Sequence, residues 1–131
     1  MAGSHLAEYV LREVPEGGVV GSVRPGGGTG NLAAVAARVR LVECDVRDAA
    51  AVERLVQEAR PDRAFHLAAR SSVQASWQDP TETLVTNTNG LVNLVEALRR
   101  HRAECRLLVP GSSEEYGTAD APRDEDAPLR P

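Results

Sequence analysis

Val109-Pro110-Gly111-Ser112-Ser113-Glu114-Glu115-Tyr116-Gly117 is an apolar strand end that breaks into hydroxyls and carboxylates. Arg106 to Val109 reads as a strand, and the helical pattern from Thr81 to Arg100 precedes it. In open α/β sheets, ligands bind in the crevice beyond the carboxyl ends of the strands. Ser112 and Glu114 are therefore the leading catalytic candidates. The competing reading is a hydrophilic turn, because Gly, Ser and Glu are ordinary loop residues. The rest of the chain decides between the two.

Towards the N-terminus the same unit recurs. Ala64 to Ala69 reads as a strand with a small-residue exit, and small side chains there let a ligand approach the backbone. His66 lies inside this apolar run and reads as a hydrogen-bonded structural histidine rather than a catalytic imidazole. Val39 to Cys44 is another strand, ending in Asp45-Val46-Arg47-Asp48. Asp48 suits the N-cap of a helix from Ala49 to Arg60, where Val52, Leu55, Val56 and Ala59 share a face, and Pro61-Asp62 ends it. Val19 to Val23 reads as a short buried strand. Gly26 to Gly30 then leads to a short helical run, Leu32 to Ala37. This loop lacks the Gly-Lys-Ser/Thr ending of a P-loop and reads as a plain connection. His5, Leu6, Tyr9, Val10 and Val14 recur at helical spacing before Pro15-Glu16-Gly17-Gly18.

Two stretches stand apart. Asp79-Pro80 is a helix-start signature, but Thr86-Asn87-Thr88-Asn89-Gly90 sets poor helix formers between two apolar halves. Asn87 and Gly90 are candidates for specific hydrogen bonding or close packing, and the alternative is a tolerated polar face. Thr118 to Pro131 has no periodicity and reads as loop. The alternation of helices and strands predicts right-handed crossovers and a doubly wound parallel sheet. A flavodoxin-like binding module fits the alternation but not the Ser-Ser-Glu run.

Composition narrows the class. A chain of 131 residues, 42% apolar, is one modest domain or part of a larger one. A net charge of -4 and a pI near 5.4 offer no basic surface for nucleic acid. No apolar run approaches membrane-spanning length, and Met1 to His5 carries no secretory signal, so a cytoplasmic protein is expected. Cys44 and Cys105 lack a CxxC or His-rich context and read as reduced structural cysteines, with no metal site. All 15 basic residues are arginine.

Several motifs in order resemble the extended short-chain dehydrogenase/reductase family, and within it the nucleotide-sugar enzymes of the GDP-mannose 4,6-dehydratase and GDP-6-deoxy-mannose reductase type. They are Arg60-Pro61-Asp62-Arg63-Ala64-Phe65-His66-Leu67-Ala68-Ala69-Arg70-Ser71-Ser72-Val73, then Ser76-Trp77, Asn87 with Gly90, and Gly111 to Gly117. Gly3-Ser4-His5-Leu6 resembles the end of that family's Gly-x-x-Gly-x-x-Gly turn. The resemblance implies a partial NAD(P)-binding Rossmann domain over 1–131, truncated at both ends, with the first strand and the substrate domain missing. The family's Tyr-x-x-x-Lys pair has no counterpart: the chain has no lysine, and neither Tyr9 nor Tyr116 matches by position.

The same resemblance implies the site. Gly3 would pack helix on strand beside the pyrophosphate. Asp45 and Val46 would contact the adenine, and Leu67, Ala68, Ala69 and Arg70 would line the cofactor. Arg24 stands where NAD enzymes place a carboxylate and suits a ribose 2'-phosphate, so NADP is expected, with NAD the alternative. Ser112 matches the family's hydroxyl hydrogen-bonder of the sugar O4, and Glu114 the acid/base glutamate of the dehydratases. Reductases of 4-keto sugars carry a similar run. The expected function is the cofactor-binding part of an NADP-dependent nucleotide-sugar 4,6-dehydratase, inactive as this fragment. The alternatives are a 4-keto-6-deoxy-mannose reductase, another nucleotide-sugar epimerase, or a noncatalytic remnant. The implied partner is a nucleotide-sugar substrate, and a homo-oligomer is left open.

Overall fold

The structure, a computed structural model, describes residues 2–117 and 122–131. The part of the expected tail loop at 118–121, like Met1, lies outside the described residues. The described chain runs α1 (Ala2–Glu13), β1 (Val19–Val23), β2 (Val39–Glu43), α2 (Ala49–Ala59), β3 (Arg63–Phe65), α3 (Val73–Gln78), α4 (Pro80–Leu84), a π-helical turn (Val85–Asn89), α5 (Gly90–His101) and β4 (Arg106–Leu108). A 3₁₀ turn, Ser113–Tyr116, follows β4.

Both strand pairings are parallel. β1 pairs with β2 from Val19 opposite Val39 to Val23 opposite Glu43, and β3 pairs with β4 from Arg63 opposite Arg106 to Phe65 opposite Leu108. The pairs form two separate two-stranded sheets. Helix α1 connects them: Gly3 in its first turn lies beside Leu67 past the end of β3, and Ala7 and Leu11 pack on Val39 and Val19.

Residue parity shows that the winding is double. Successive strand residues point to opposite faces. Val39 and Leu41 of β2 pack in the cluster of Ala7 and Leu11 on α1. Cys44 continues that strand, its N–H donating to the Val23 carbonyl, and it packs in the other cluster, with Val52 and Val56 of α2 and Ala97 and Leu98 of α5. One helix layer therefore lies on each side of the sheet plane. Burying Val52 and Val56, each 2% exposed, contributes roughly 1.5–3 kcal/mol per side chain and makes the α2–α5 layer the firmer half.

Local signals account for the helix ends. The Asp48 carboxylate accepts from the N–H groups of Ala50 and Ala51, which fixes the start of α2 and stabilises it by about 1 kcal/mol. Arg60 closes α2 in a left-handed conformation. Asp79 accepts from the Glu82 N–H and Pro80 occupies the first turn of α4.

Several expected boundaries are corrected. The run from Leu32 to Ala37 is two 3₁₀ turns, Gly30–Leu32 and Ala36–Arg38, rather than a helix. Only Leu32 and Val35 reach the core there, too little burial to offset the cost of nucleating a helix so short. The strand expected over Ala64 to Ala69 stops at Phe65, and His66 makes a last backbone bond to Leu108. Its partner then meets Pro110, which has no N–H to extend the ladder. The single helix expected from Thr81 to Arg100 is α4, the π turn and α5 in succession. Helix α3 was not expected; the Ser72 hydroxyl caps it by accepting from Ala75 N–H.

Candidate functional site

Parallel pairing places the exits of β1 and β2 at one edge and those of β3 and β4 at one edge. Side-chain bonds then join the β2 and β3 exits. Arg47 directs its Nε to Asp45 Oδ1 at 2.9 Å and Oδ2 at 3.0 Å, and its backbone N–H to Oδ1 at 3.0 Å. Its Nη2 also bonds Oδ2, while Nη1 reaches Glu82 Oε1 at the start of α4. Glu82 in turn lies 3.9 Å from Arg70 Nη1, beyond the end of β3.

The odd middle of the long helix completes this set. The π turn inserts an extra residue, so the Gly90 N–H reaches the Val85 carbonyl five residues back. Inside that turn Asn87 accepts from Arg70 N–H at 2.8 Å and donates to the Arg70 carbonyl at 3.1 Å. Both backbone groups of one irregular residue are thus satisfied by a single amide. One residue past the turn, a Cβ on Gly90 would sit 2.8 Å from Val46 Cγ2, so only glycine lets the helix approach that closely. Asn93 Nδ2 donates to the Val46 carbonyl at 2.9 Å. Asn87 and Gly90 therefore have the specific roles that their poor helix propensity suggested, and the tolerated polar face is set aside.

The electrostatics follow from this geometry. The Arg47 guanidinium, helped by its own backbone N–H, holds the Asp45 carboxyl at about 2 against an ordinary 3.8. Arg24, at the exit of β1, adds a smaller attraction of the same sign. A depressed folded-state value means that Asp45 contributes stability above its unfolded pKa and loses it as pH falls through the folded one. An Arg47→Met variant is accordingly expected to lack a stability loss that the parent shows between about pH 4 and about pH 2, read as thermal midpoints across that window. Equal acid sensitivity of the two proteins would contradict the clamp. Burial lowers the His66 pKa.

Of the sequence-derived candidates, Asp45, Val46 and Arg70 share one bonded and packed set, with Arg24 in its field, and Gly3 faces Leu67, its Cβ position 3.8 Å from Leu67 Cδ1. Ala68 is half-buried and Ala69 exposed on the segment between Leu67 and Arg70. Arg70 Nε is shielded from solvent without an acceptor. Ser112 and Glu114 lie in their own turn past β4, both exposed: Ser112 Oγ accepts from the Glu114 N–H at 3.2 Å. The hydroxyl thus caps the 3₁₀ turn, which is the structural role weighed against catalysis. Sequence reasoning missed Arg47, Glu82 and Asn93. Arg47 had a readable signal, an arginine two residues after an acid at a strand exit, whereas the Glu82 side chain was hidden by its place in a helix-start signature. Among the described residues no group of three or more His, Cys, Asp or Glu converges as a metal site, and no helix is long and apolar enough to cross a membrane.

Comparison with known proteins adds the relationships. The family described as GDP-mannose 4,6 dehydratase matches over residues 1–131. The dTDP-glucose 4,6-dehydratase of Mycolicibacterium smegmatis is 36% identical over 117 residues, 88% of this chain and 34% of that protein. GDP-mannose 4,6 dehydratase 2 of Arabidopsis thaliana is 32% identical over 99 residues, 72% of this chain and 26% of that protein. The crystal structure of UDP-glucose 4-epimerase from Thermus thermophilus, a complex with NAD, superposes with a TM-score of 0.81 at 32% identity, covering 100% of this chain and 42% of that one. The chain spans about a third of the length of the curated relatives it matches.

Proposed function

Because this chain belongs to the GDP-mannose 4,6-dehydratase family, we propose that it forms the cofactor-holding part of an NADP-dependent nucleotide-sugar 4,6-dehydratase, with residues 1–131 a partial Rossmann domain. The observation that carries the reading is the side-chain chain from Asp45 at the β2 exit through Arg47 and Glu82 to Arg70 beyond the β3 exit, with Leu67 of the same segment facing the first turn of α1 at Gly3. These residues fit a dinucleotide. Asp45 accepts from an exocyclic amine, Val46 offers an apolar edge to the adenine, and the N–H groups of the first turn of α1 face a pyrophosphate. Leu67, Ala68 and Ala69 leave room for the cofactor at the β3 exit, and Arg70 Nε has no acceptor of its own. Arg24 is exposed at the β1 exit and supplies a guanidinium to a 2'-phosphate.

A dinucleotide held there would supply hydride exchange with the hexose, taken from C4 and returned to C6. Ser112 would hold the sugar O4 by a hydrogen bond while the tyrosine of the family's Tyr-x-x-x-Lys pair took the O4 proton, and Glu114 would take the C5 proton and return it to the departing C6 hydroxyl, which leaves as water. Both are exposed, and Ser112 keeps its hydroxyl proton for donation while its oxygen caps the turn. No lysine is present to complete a Tyr-x-x-x-Lys pair, so the chain alone is proposed not to turn over nucleotide sugar. The second reading is a 4-keto-sugar reductase, since such reductases carry a similar Ser-Ser-Glu-Glu-Tyr-Gly run, or an epimerase, since the Thermus thermophilus UDP-glucose 4-epimerase superposes on this chain at 32% identity. A cytoplasmic setting and a nucleotide-sugar partner go with either.

Cofactor titration tests the reading. NADPH is expected to bind the chain at least about tenfold more tightly than NADH, the worth of one charge-assisted contact. Arg24→Asp should reverse that order by repelling the phosphate. Tighter binding of NADH to the parent would remove the NADP assignment, and no binding of either would remove the cofactor reading.

A further inference from the structure

The Arg47 fork does more than balance charge. Three N–H donors, the backbone N, Nε and Nη2 of Arg47, converge on the Asp45 carboxylate. An ionised carboxylate has about four acceptor positions. Oδ1 takes the backbone N–H and Nε, while Oδ2 takes Nη2 and a share of Nε. Because Nε–H is a single hydrogen divided between the two oxygens, three hydrogens meet about four positions, and one direction, on Oδ2, is left for an outside donor.

The guanidinium cannot swing away without losing a second carboxylate. Its Nη1 bonds Glu82 of α4, and Glu82 also faces Arg70, whose backbone Asn87 clamps. Asp45, Arg47 and Glu82 keep only 28%, 40% and 33% of their side-chain surface in solvent. A free aspartate rotates broadly about its last torsion and can present either oxygen in either direction. Here the orientation is set before any ligand arrives.

We propose that Arg47 is a specificity-determining positioning residue: by forking onto Asp45 it leaves that carboxylate a single outward acceptor, which selects the 6-amino edge of adenine over the 6-oxo edge of hypoxanthine in a bound dinucleotide. The inference rests on the cofactor reading above. A 6-amino group donates to Oδ2. A 6-oxo group instead brings its own lone pairs against a carboxylate that has no proton to give and cannot turn. A site built to bond one polar edge rejects the analogue that lacks it, because its own group is left unpaired. Removing the fork lets the carboxylate rotate towards the N1–H of hypoxanthine, and the discrimination falls.

The experiment compares equilibrium binding of NADPH and its hypoxanthine counterpart to the chain, to Arg47→Met and to Arg47→Lys. The parent should favour NADPH by about tenfold or more. Arg47→Met should bring the two affinities within about threefold, and Arg47→Lys, a point charge without a planar fork, should resemble it. Circular dichroism checks that each variant folds, and if Arg47→Met does not, the lysine variant decides. An unchanged ratio in a folded variant, or no preference in the parent, overturns the role of Arg47 while NADPH binding itself stands. Failure of the parent to bind either dinucleotide overturns the cofactor reading and this inference with it.

Discussion

Asn87→Leu is expected to destabilise the protein by about 2–4 kcal/mol, because it strips both backbone partners from Arg70 at one stroke. Leucine fills a similar volume, so the loss measures hydrogen bonding rather than a cavity. The N–H and C=O of Arg70 lie in the irregular stretch after β3, where no ladder can take them over. Each unpaired, partly buried group costs roughly 1–2 kcal/mol. In urea the unfolding midpoint should fall by about 1–2 M with little change in slope. Asn87→Asp separates the two bonds: the carboxylate still accepts from the N–H but places an acceptor against the carbonyl, so an intermediate loss is expected at neutral pH. A leucine variant within about 0.5 kcal/mol of the parent would mean that water already serves these groups.

Gly117→Ala is expected to release the C-terminal segment that folds back on the Ser113–Tyr116 turn. Gly117 has φ 66° and ψ -162°, a region used almost only by glycine. A Cβ there would lie 2.2 Å from the Arg130 carbonyl oxygen, a backbone atom that cannot rotate aside. The strain of about 1–3 kcal/mol and the clash act together on one contact, the Arg130 N–H to the Glu115 carbonyl at 2.8 Å. Hydrogen exchange at Arg130 should quicken by roughly one to two powers of ten while α2 and α5 keep their protection. Gly28→Ala serves as the control, since nothing lies within 4 Å of its Cβ position and its φ is not in the left-handed region. Retained protection of Arg130 in the alanine variant would show that the segment is held elsewhere.

Both substitutions fall where local signals and the three-dimensional result diverge. The alternation of apolar runs, the Asp48 cap and the Asp79-Pro80 start were legible because they depend on neighbours within a turn. Asn87 was legible only as an anomaly: propensity marked the stretch as costly, but the partner, Arg70, lies 17 residues away. Glu82 gave no warning, because a glutamate three residues after an aspartate at a helix start is ordinary capping chemistry, and its side chain instead reaches Arg47, 35 residues away. The run from Leu32 to Ala37 misled in the opposite direction, since alanine favours helix wherever it stands and burial was absent.

By itself, then, the order of residues determined the α/β class, the parallel winding, the family and the set of strand exits where chemistry should gather, since these follow from periodicity and from motifs a few residues long. The tertiary structure decided which side chains meet there. It bound Asp45 through Arg47 to Glu82, seated Gly90 against Val46, gave Asn87 to the backbone of Arg70, and turned Ser112 into the cap of its own turn. Those pairings link strand exits to a helix through contacts that exist only once the chain has wound back on itself, and no local propensity encodes them.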